Sequence, residues 1–398
     1  MKRTLRKLFL IILTAMIFSN SISTAADGRK HTAQAVQSSA ISDNTIMNNV
    51  SAESAILVET STNTIIADKN AYDKRSISHL AKLMTVLIAA EKIESKELSL
   101  TDKVVTSANA NSKGAPQIWL NVGESISVDE LLQAVTIGNA NDACTALAEK
   151  IAGSEDKFVK LMNQRASQMK MNDTHFEDCT GESVKTVSTA YDLSILSKEL
   201  IKYNSLTQYF TTWMSNIRCN AVELVSTNRL IRNYKGTVGL KSCASKASGE
   251  CLISAAKRGN MSVCIVLLNS ASDDDKFSDA KHVMDYAFTT FEIYEPEIDE
   301  KSLENMRVIG GEVLDISVKD KNLHNIVIPR GTYKQISCSY EREESITAPV
   351  EKEQKLGEIK FFSDEKEILN GEIVAAEPVE KVSFAFSLKR ILLNVLYI

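Results

Sequence analysis

The stretch Ile77-Ser78-His79-Leu80-Ala81-Lys82-Leu83-Met84-Thr85 leads into the segment that decides the fold. From Lys82 to Lys92 the apolar residues Leu83, Val86, Leu87 and Ala90 recur at helical spacing, which predicts a buried helix. On its N-terminal side Ser54-Ala-Ile-Leu-Val-Glu and Thr64-Ile-Ile-Ala-Asp flank the turn Ser61-Thr62-Asn63 and read as a β-hairpin. On its C-terminal side further helices are predicted over Val128–Ile151, Glu155–Met169 and Thr189–Tyr203. Strands follow over Gly236–Lys241, Glu250–Lys257 and Met261–Leu268. Helices inserted between early and late strands give an α+β core.

The chain has 398 residues, more than one ordinary domain of about 100–200 residues needs. Beyond Pro296 its character changes to short alternating runs, Glu312-Val-Leu-Asp-Ile-Ser-Val, Ile326-Val-Ile, Gln335-Ile-Ser-Cys and Glu358-Ile-Lys-Phe-Phe, separated by polar turns. These predict a small all-β domain. In the last segment Ser383, Ser387, Arg390 and Asn394 fall on one narrow stripe, opposite Phe384, Leu388, Ile391, Leu392 and Val395. Such an amphipathic helix suits a membrane surface better than a membrane crossing; a packed terminal helix is the plainer alternative.

Forty-six basic and 51 acidic side chains leave a formal charge of −5, which is not the footprint of a nucleic-acid binder. The N-terminus, Met-Lys-Arg-Thr-Leu-Arg-Lys followed by the apolar run Leu8 to Phe18 and by Ser23-Thr24-Ala25, reads as a secretory signal peptide. Cleavage after it removes Lys2, Arg3, Arg6 and Lys7 and no acid, taking −5 to −9 in an extracytoplasmic protein. Seven cysteines without C-x-x-C spacing form no disulfide framework and read as small buried apolar groups. The five histidines, at 31, 79, 175, 282 and 324, lack metal-ligand spacing, so neither metal nor other cofactor is expected.

The expected domain map is a signal peptide over 1–25, a flexible tether over 26–49, a main α+β domain over 50–292, a small β domain over 293–380 and an amphipathic membrane-associating tail over 381–398.

Ordered matches along the chain carry a resemblance. Leu83-Met-Thr-Val-Leu after Lys82, Asn141-Asp-Ala, Ala148-Glu-Lys-Ile-Ala-Gly, Ser188-Thr-Ala-Tyr-Asp-Leu, Thr227-Asn-Arg-Leu-Ile, Gly239-Leu-Lys and Ala348-Pro-Val-Glu-Lys together resemble the serine-type D-Ala-D-Ala carboxypeptidases, the low-molecular-mass penicillin-binding proteins. The resemblance implies a β-lactamase/transpeptidase-like domain, an antiparallel sheet flanked by helices, with three motifs, S-x-x-K, S-x-N and K-T-G. It also implies a peptidoglycan stem peptide ending in D-Ala-D-Ala as the ligand.

Each motif departs from that pattern here. Lys82 occupies the lysine position, but His79 stands three residues before it where the family has its nucleophilic serine. Two substitutes are open: Ser78, four residues from Lys82 and about 100° round the helix, or the imidazole of His79 itself. Alternatively His79 is a polar group capping a vestigial cleft. The second motif reads Asn139-Ala140-Asn141; Asn141 is kept, with a turn or cap role as its plainer reading, while Asn139 lacks the hydroxyl that relays a proton. The third reads Lys241-Ser242-Cys243, where Ser242 keeps a hydroxyl, Cys243 fills the glycine position, and Lys241 is either a carboxylate anchor or one more surface lysine.

Losing a nucleophile costs about 10⁶-fold in turnover, after which the other motifs are free to drift. The reading is therefore a protein of peptidoglycan metabolism, catalytically inactive or impaired, that binds peptidoglycan or regulates, peripheral to the outer face of the cytoplasmic membrane. A working carboxypeptidase using Ser78 or His79, and a structural surface protein without ligand, are the alternatives.

Overall fold

A computed structural model describes residues 44–396. The signal peptide expected over 1–25 and the first part of the tether lie outside the described residues. The rest of the tether differs from expectation: Asn44–Asn49 is a 3-10 helix whose Met47 is buried. Met47 and Val50 join the core beside Leu57 and Ile66, with Ile46 packed against them.

The sheet is built from β1 (Ser54–Glu59), β2 (Ile65–Lys69), β3 (Thr237–Ser245), β4 (Gly249–Arg258) and β5 (Met261–Ser270), in the order β2-β1-β5-β4-β3. All its pairings are antiparallel, and Ser54 opposite Leu268 joins the first strand to the last. The chain between them supplies a helical layer: α1 (Lys82–Glu94), α2 (Val128–Thr136), α3 (Asn141–Ala152), α4 (Glu155–Gln168) and α5 (Ala190–Ile201). Every residue of α1 from Lys82 to Ala90 is buried, as expected of a helix packed on all sides, and it touches α2 to α5. After the sheet, α6 (Asp273–Thr290) covers the opposite face. Strand alternation feeds both layers: Ile56, Val58 and Ile253 turn to α1, whereas Ala55, Leu57 and Leu252 turn to Phe277, Val283 and Met284 of α6.

The continuous helix expected over Val128–Ile151 is two helices. Ser127 and Glu130 form a capping box that starts α2, and the chain breaks over residues 137–140, where Asn139 has φ +58°. Asn is among the few non-glycine residues that visit this region readily. A Cβ on Gly138 would lie 2.7 Å from Leu224 Cδ2 and 3.1 Å from Ala134 O, so the chain is closely packed at this point. The break turns Asn139 and Asn141 away from a regular helix surface.

Beyond α6 the chain forms small sheets around Met306, Val308, Ile359, Phe361 and Ile373. A four-stranded sheet joins Val318–Lys321, Lys366–Ala375, Lys355–Ser363 and Ile336–Arg342, and Met306–Ile309 pairs with both Asp315–Ile316 and Ser345–Thr347. A last helix, α7 (Phe384–Leu396), exposes Phe384, Leu388, Ile391, Leu392 and Leu393. Among the described residues no helix is long and apolar enough to cross a membrane.

Candidate active site

Residues 78–82 do not enter α1 as one regular helix. Ser78–Ala81 is a 3-10 turn, Ser78 has φ +45° and is 2% exposed, and α1 starts at Lys82. A second loop seats this turn. The Asp178 carboxylate accepts from the amides of Thr180 (2.7 Å) and Ser183 (2.8 Å) and from the Thr180 hydroxyl (2.7 Å), curling 178–183 on itself. Gly181, at φ +81°, lies so close that a Cβ would stand 1.8 Å from Ser78 O. The curl presents Thr180 O, which accepts from Lys82 Nζ at 3.0 Å and lies 3.2 Å from His79 Nδ1. Lys82 Nζ is 2.8 Å from that same Nδ1. Nδ1 can accept from Lys82 or donate to Thr180, not both at once.

The other two motifs border this pair. Asn141 opens α3 but caps nothing: its Nδ2 donates to Gly114 O (3.0 Å) and Glu182 Oε1 (3.0 Å), tying the 114–116 loop to the 178–183 loop. Strand β3 packs on the 3-10 turn. Its Lys241 is 4% exposed, no surface lysine, and donates to Val135 O at 3.0 Å. Ser242 Oγ, Asn139 Oδ1 and Asn141 Oδ1 are buried without a partner among the described residues. Cys243 is buried on the same strand face as Lys241, opposite Cys251 on β4.

Electrostatics mark the wall as one unit. Burial, then the neighbouring Lys82, pushes His79 down to about 4. Burial lowers Lys82 to about 8, and burial together with Lys82 lowers Lys241 to about 7. Burial pushes the Cys243 thiol up to about 12, so it is no thiolate nucleophile. The wall thus holds two lysines whose charged form is disfavoured by burial.

Sequence reasoning placed His79, Lys82, Asn139, Asn141, Lys241, Ser242 and Cys243 on this wall, and the structure brings His79, Lys82 and Lys241 into mutual electrostatic reach. It missed the Asp178–Ser183 loop, whose Thr180 carbonyl holds the centre. The signal was present: Asp178 followed by Thr180 and Gly181 has the composition of a side-chain-capped turn.

Residues 38–272 match the family model for D-alanyl-D-alanine carboxypeptidase, and residues 288–381 match that for the C-terminal domain of penicillin-binding protein 5. The D-alanyl-D-alanine carboxypeptidase DacF of Bacillus subtilis is 31% identical over 344 residues, covering 85% of this chain and 88% of its own. DacC of Escherichia coli is 28% identical over 344 residues, covering 84% of this chain and 86% of its own. The crystal structure of penicillin-binding protein 5 from Haemophilus influenzae superposes with a TM-score of 0.75 at 22% identity, covering 83% of this chain and 98% of that one.

Proposed function

The chain belongs to the D-alanyl-D-alanine carboxypeptidase family of cell-wall metabolism, and from that premise we propose that it binds stem peptides ending in D-Ala-D-Ala without hydrolysing them, as a peptidoglycan-binding or regulatory protein. The observation that carries this reading is the 2.8 Å contact between Lys82 Nζ and His79 Nδ1. Serine-type acyl transfer needs a hydroxyl whose proton passes to an amine as the oxygen attacks. Here the atom in contact with the amine is an imidazole nitrogen already shared with Thr180 O. Ser78, the displaced candidate, is 2% exposed, and the hydrogen bonds of Lys82 go to residues 79 and 180 instead.

Binding keeps its supports. Lys241 offers a buried cation to a terminal carboxylate, and Ser242 Oγ and Asn141 Oδ1 are unpaired polar atoms that a peptide amide or carboxylate can satisfy. The basic and apolar N-terminal segment supports export, and the exposed apolar side chains of α7 support attachment to the membrane surface, with Lys389 and Arg390 suited to anionic headgroups.

Incubation with a labelled penicillin followed by intact mass tests the chemistry. No covalent adduct is expected; one that disappears with Ser78→Ala or His79→Ala reveals a displaced nucleophile and overturns the inactive reading. Titration with a stem pentapeptide tests the binding. Saturable binding, weakened at least about tenfold by Lys241→Met, is expected, and its absence removes the ligand from the proposal.

A further inference from the structure

We propose that Trp119 is the platform of a carbohydrate subsite beside the cleft, taking the N-acetylated hexosamine rings of the glycan strand that carries the stem peptide. The inference deepens the function proposed above and rests on it for the identity of the sugar.

Scattered exposed apolar side chains need no explanation. Trp119, 69% exposed, differs from them in how it is held. Its backbone has φ +54°, an outlier for so bulky a residue. The amides on either side, Ile118 N and Leu120 N, both donate to the carboxylate of fully buried Asp142, at 3.1 and 3.0 Å. Arg218 donates to Ile118 O at 2.9 Å, and Asn111 to Leu120 O at 2.6 Å. The ring is pinned as well: the Gln117 amide, oriented to satisfy both its ends, accepts from Trp119 Nε1 at 3.1 Å and donates to Lys113 O at 2.8 Å. An indole fixed at its backbone and its one polar atom, with most of its surface in water, binds a flat apolar surface at little ordering cost.

The same loop is part of the cleft wall. Asn141 N donates to Pro116 O at 2.6 Å, and Asn141 Nδ2 reaches Gly114 O and Ala115 O. In the proposed complex the peptide's C-terminal carboxylate meets Lys241, and its other end, which bears the sugar, runs past this wall. Pyranose rings present a face of C–H groups suited to an indole, with their hydroxyl and acetamido groups left at the wet rim. An apolar side chain of a protein partner is the competing occupant.

The test uses the full chain with Trp213→Phe, which leaves Trp119 the only indole of the two in the sequence. A tetramer of β-1,4-linked N-acetylglucosamine and peptide-free glycan strands are titrated against its emission. Calorimetry then compares a free stem pentapeptide with the disaccharide-linked pentapeptide. Expected are a saturable emission change and about tenfold tighter binding of the sugar-linked ligand. Trp119→Ala should abolish that advantage and leave the free pentapeptide unaffected, and Trp119→Phe, which keeps a ring and guards against misfolding, should retain part of it. Equal affinities for the two ligands in the parent protein, or an advantage that survives Trp119→Ala, overturns the inference. Glycan binding by calorimetry that is lost in Trp119→Ala while the free pentapeptide fails to bind leaves the sugar subsite standing and removes the peptide reading instead.

Discussion

Lys82 Nζ stands 2.8 Å from His79 Nδ1, and both nitrogens share the carbonyl of Thr180. In this arrangement neither partner gains by being charged. A protonated Lys82 has a lone pair from imidazole and one carbonyl to donate to, in a fully buried setting, while a protonated His79 would face it as a second cation. Lys241 adds a third basic group to the same wall, and its Nζ is held by a carbonyl rather than a carboxylate. The wall is therefore a place where protons are held weakly.

That weakness has a sign in stability. Lys82 and Lys241 have ordinary values of 10.5 that fall to about 8 and about 7 in the folded protein. For a base with a depressed folded value the penalty is full below that value and vanishes above the unfolded one, so stability rises with pH between about 7 and 10.5. The two lysines together should contribute on the order of a few kcal/mol across this window. Urea midpoints measured from pH 6.5 to about 10 should climb in the parent and climb less in Lys241→Met. Parallel profiles for the two proteins would exclude buried Lys241 as a source.

Gly181 is the contact through which the Asp178 loop positions the 78–82 turn. It combines φ +81° with a Cβ position 1.8 Å from Ser78 O, a backbone atom that cannot swing aside. Gly181→Ala should cost on the order of 2–4 kcal/mol and displace Thr180 O from Lys82. Denaturation in urea checks the first effect. Gly259→Ala, also at positive φ but with nothing within 4 Å, is the control that isolates backbone strain from the clash.

Much of this is legible in the sequence, because it depends on local period. The hairpin at 54–69, the buried α1 and the strand triplet before α6 follow from alternation and helical spacing within single segments, and Lys82, Asn141 and Lys241 from motif position. The break at Gly138-Asn139 was not legible, since apolar spacing runs straight through it. Nor were the backbone amides of Ile118 and Leu120 that meet buried Asp142, or the Thr180 carbonyl that a separate loop brings to Lys82. Local pattern reports which face is apolar; it does not report which carbonyl a distant turn will supply.

The tail makes a separate prediction. In α7 Leu388 and Ile391 are 47% and 61% exposed and lie one turn apart on one side. Leu388→Lys with Ile391→Lys should weaken sedimentation with phosphatidylglycerol vesicles by about tenfold or more, without altering the thermal unfolding of the body. Sedimentation equal to the parent, or none in the parent, would argue for a face that packs on protein.

Restoring the three altered positions is the strictest test of what the wall lacks. His79→Ser alone puts a hydroxyl where Lys82, lowered to about 8, is close to the neutral amine that can accept its proton. Yet Asn139 still cannot relay a proton to the leaving amine, and Cys243 still fills the edge of β3 where the substrate backbone would approach. The single variant should therefore acylate slowly with penicillin and release no measurable D-Ala, whereas His79→Ser with Asn139→Ser and Cys243→Gly should do both. Intact mass and a D-Ala assay report the two steps separately. If the triple variant folds with a normal melting transition and still forms no adduct, the defect lies in the shape set by Thr180 O and the 78–82 turn rather than in the missing hydroxyls. Gly181 and Asp178, not residue 79, then become the positions to rebuild.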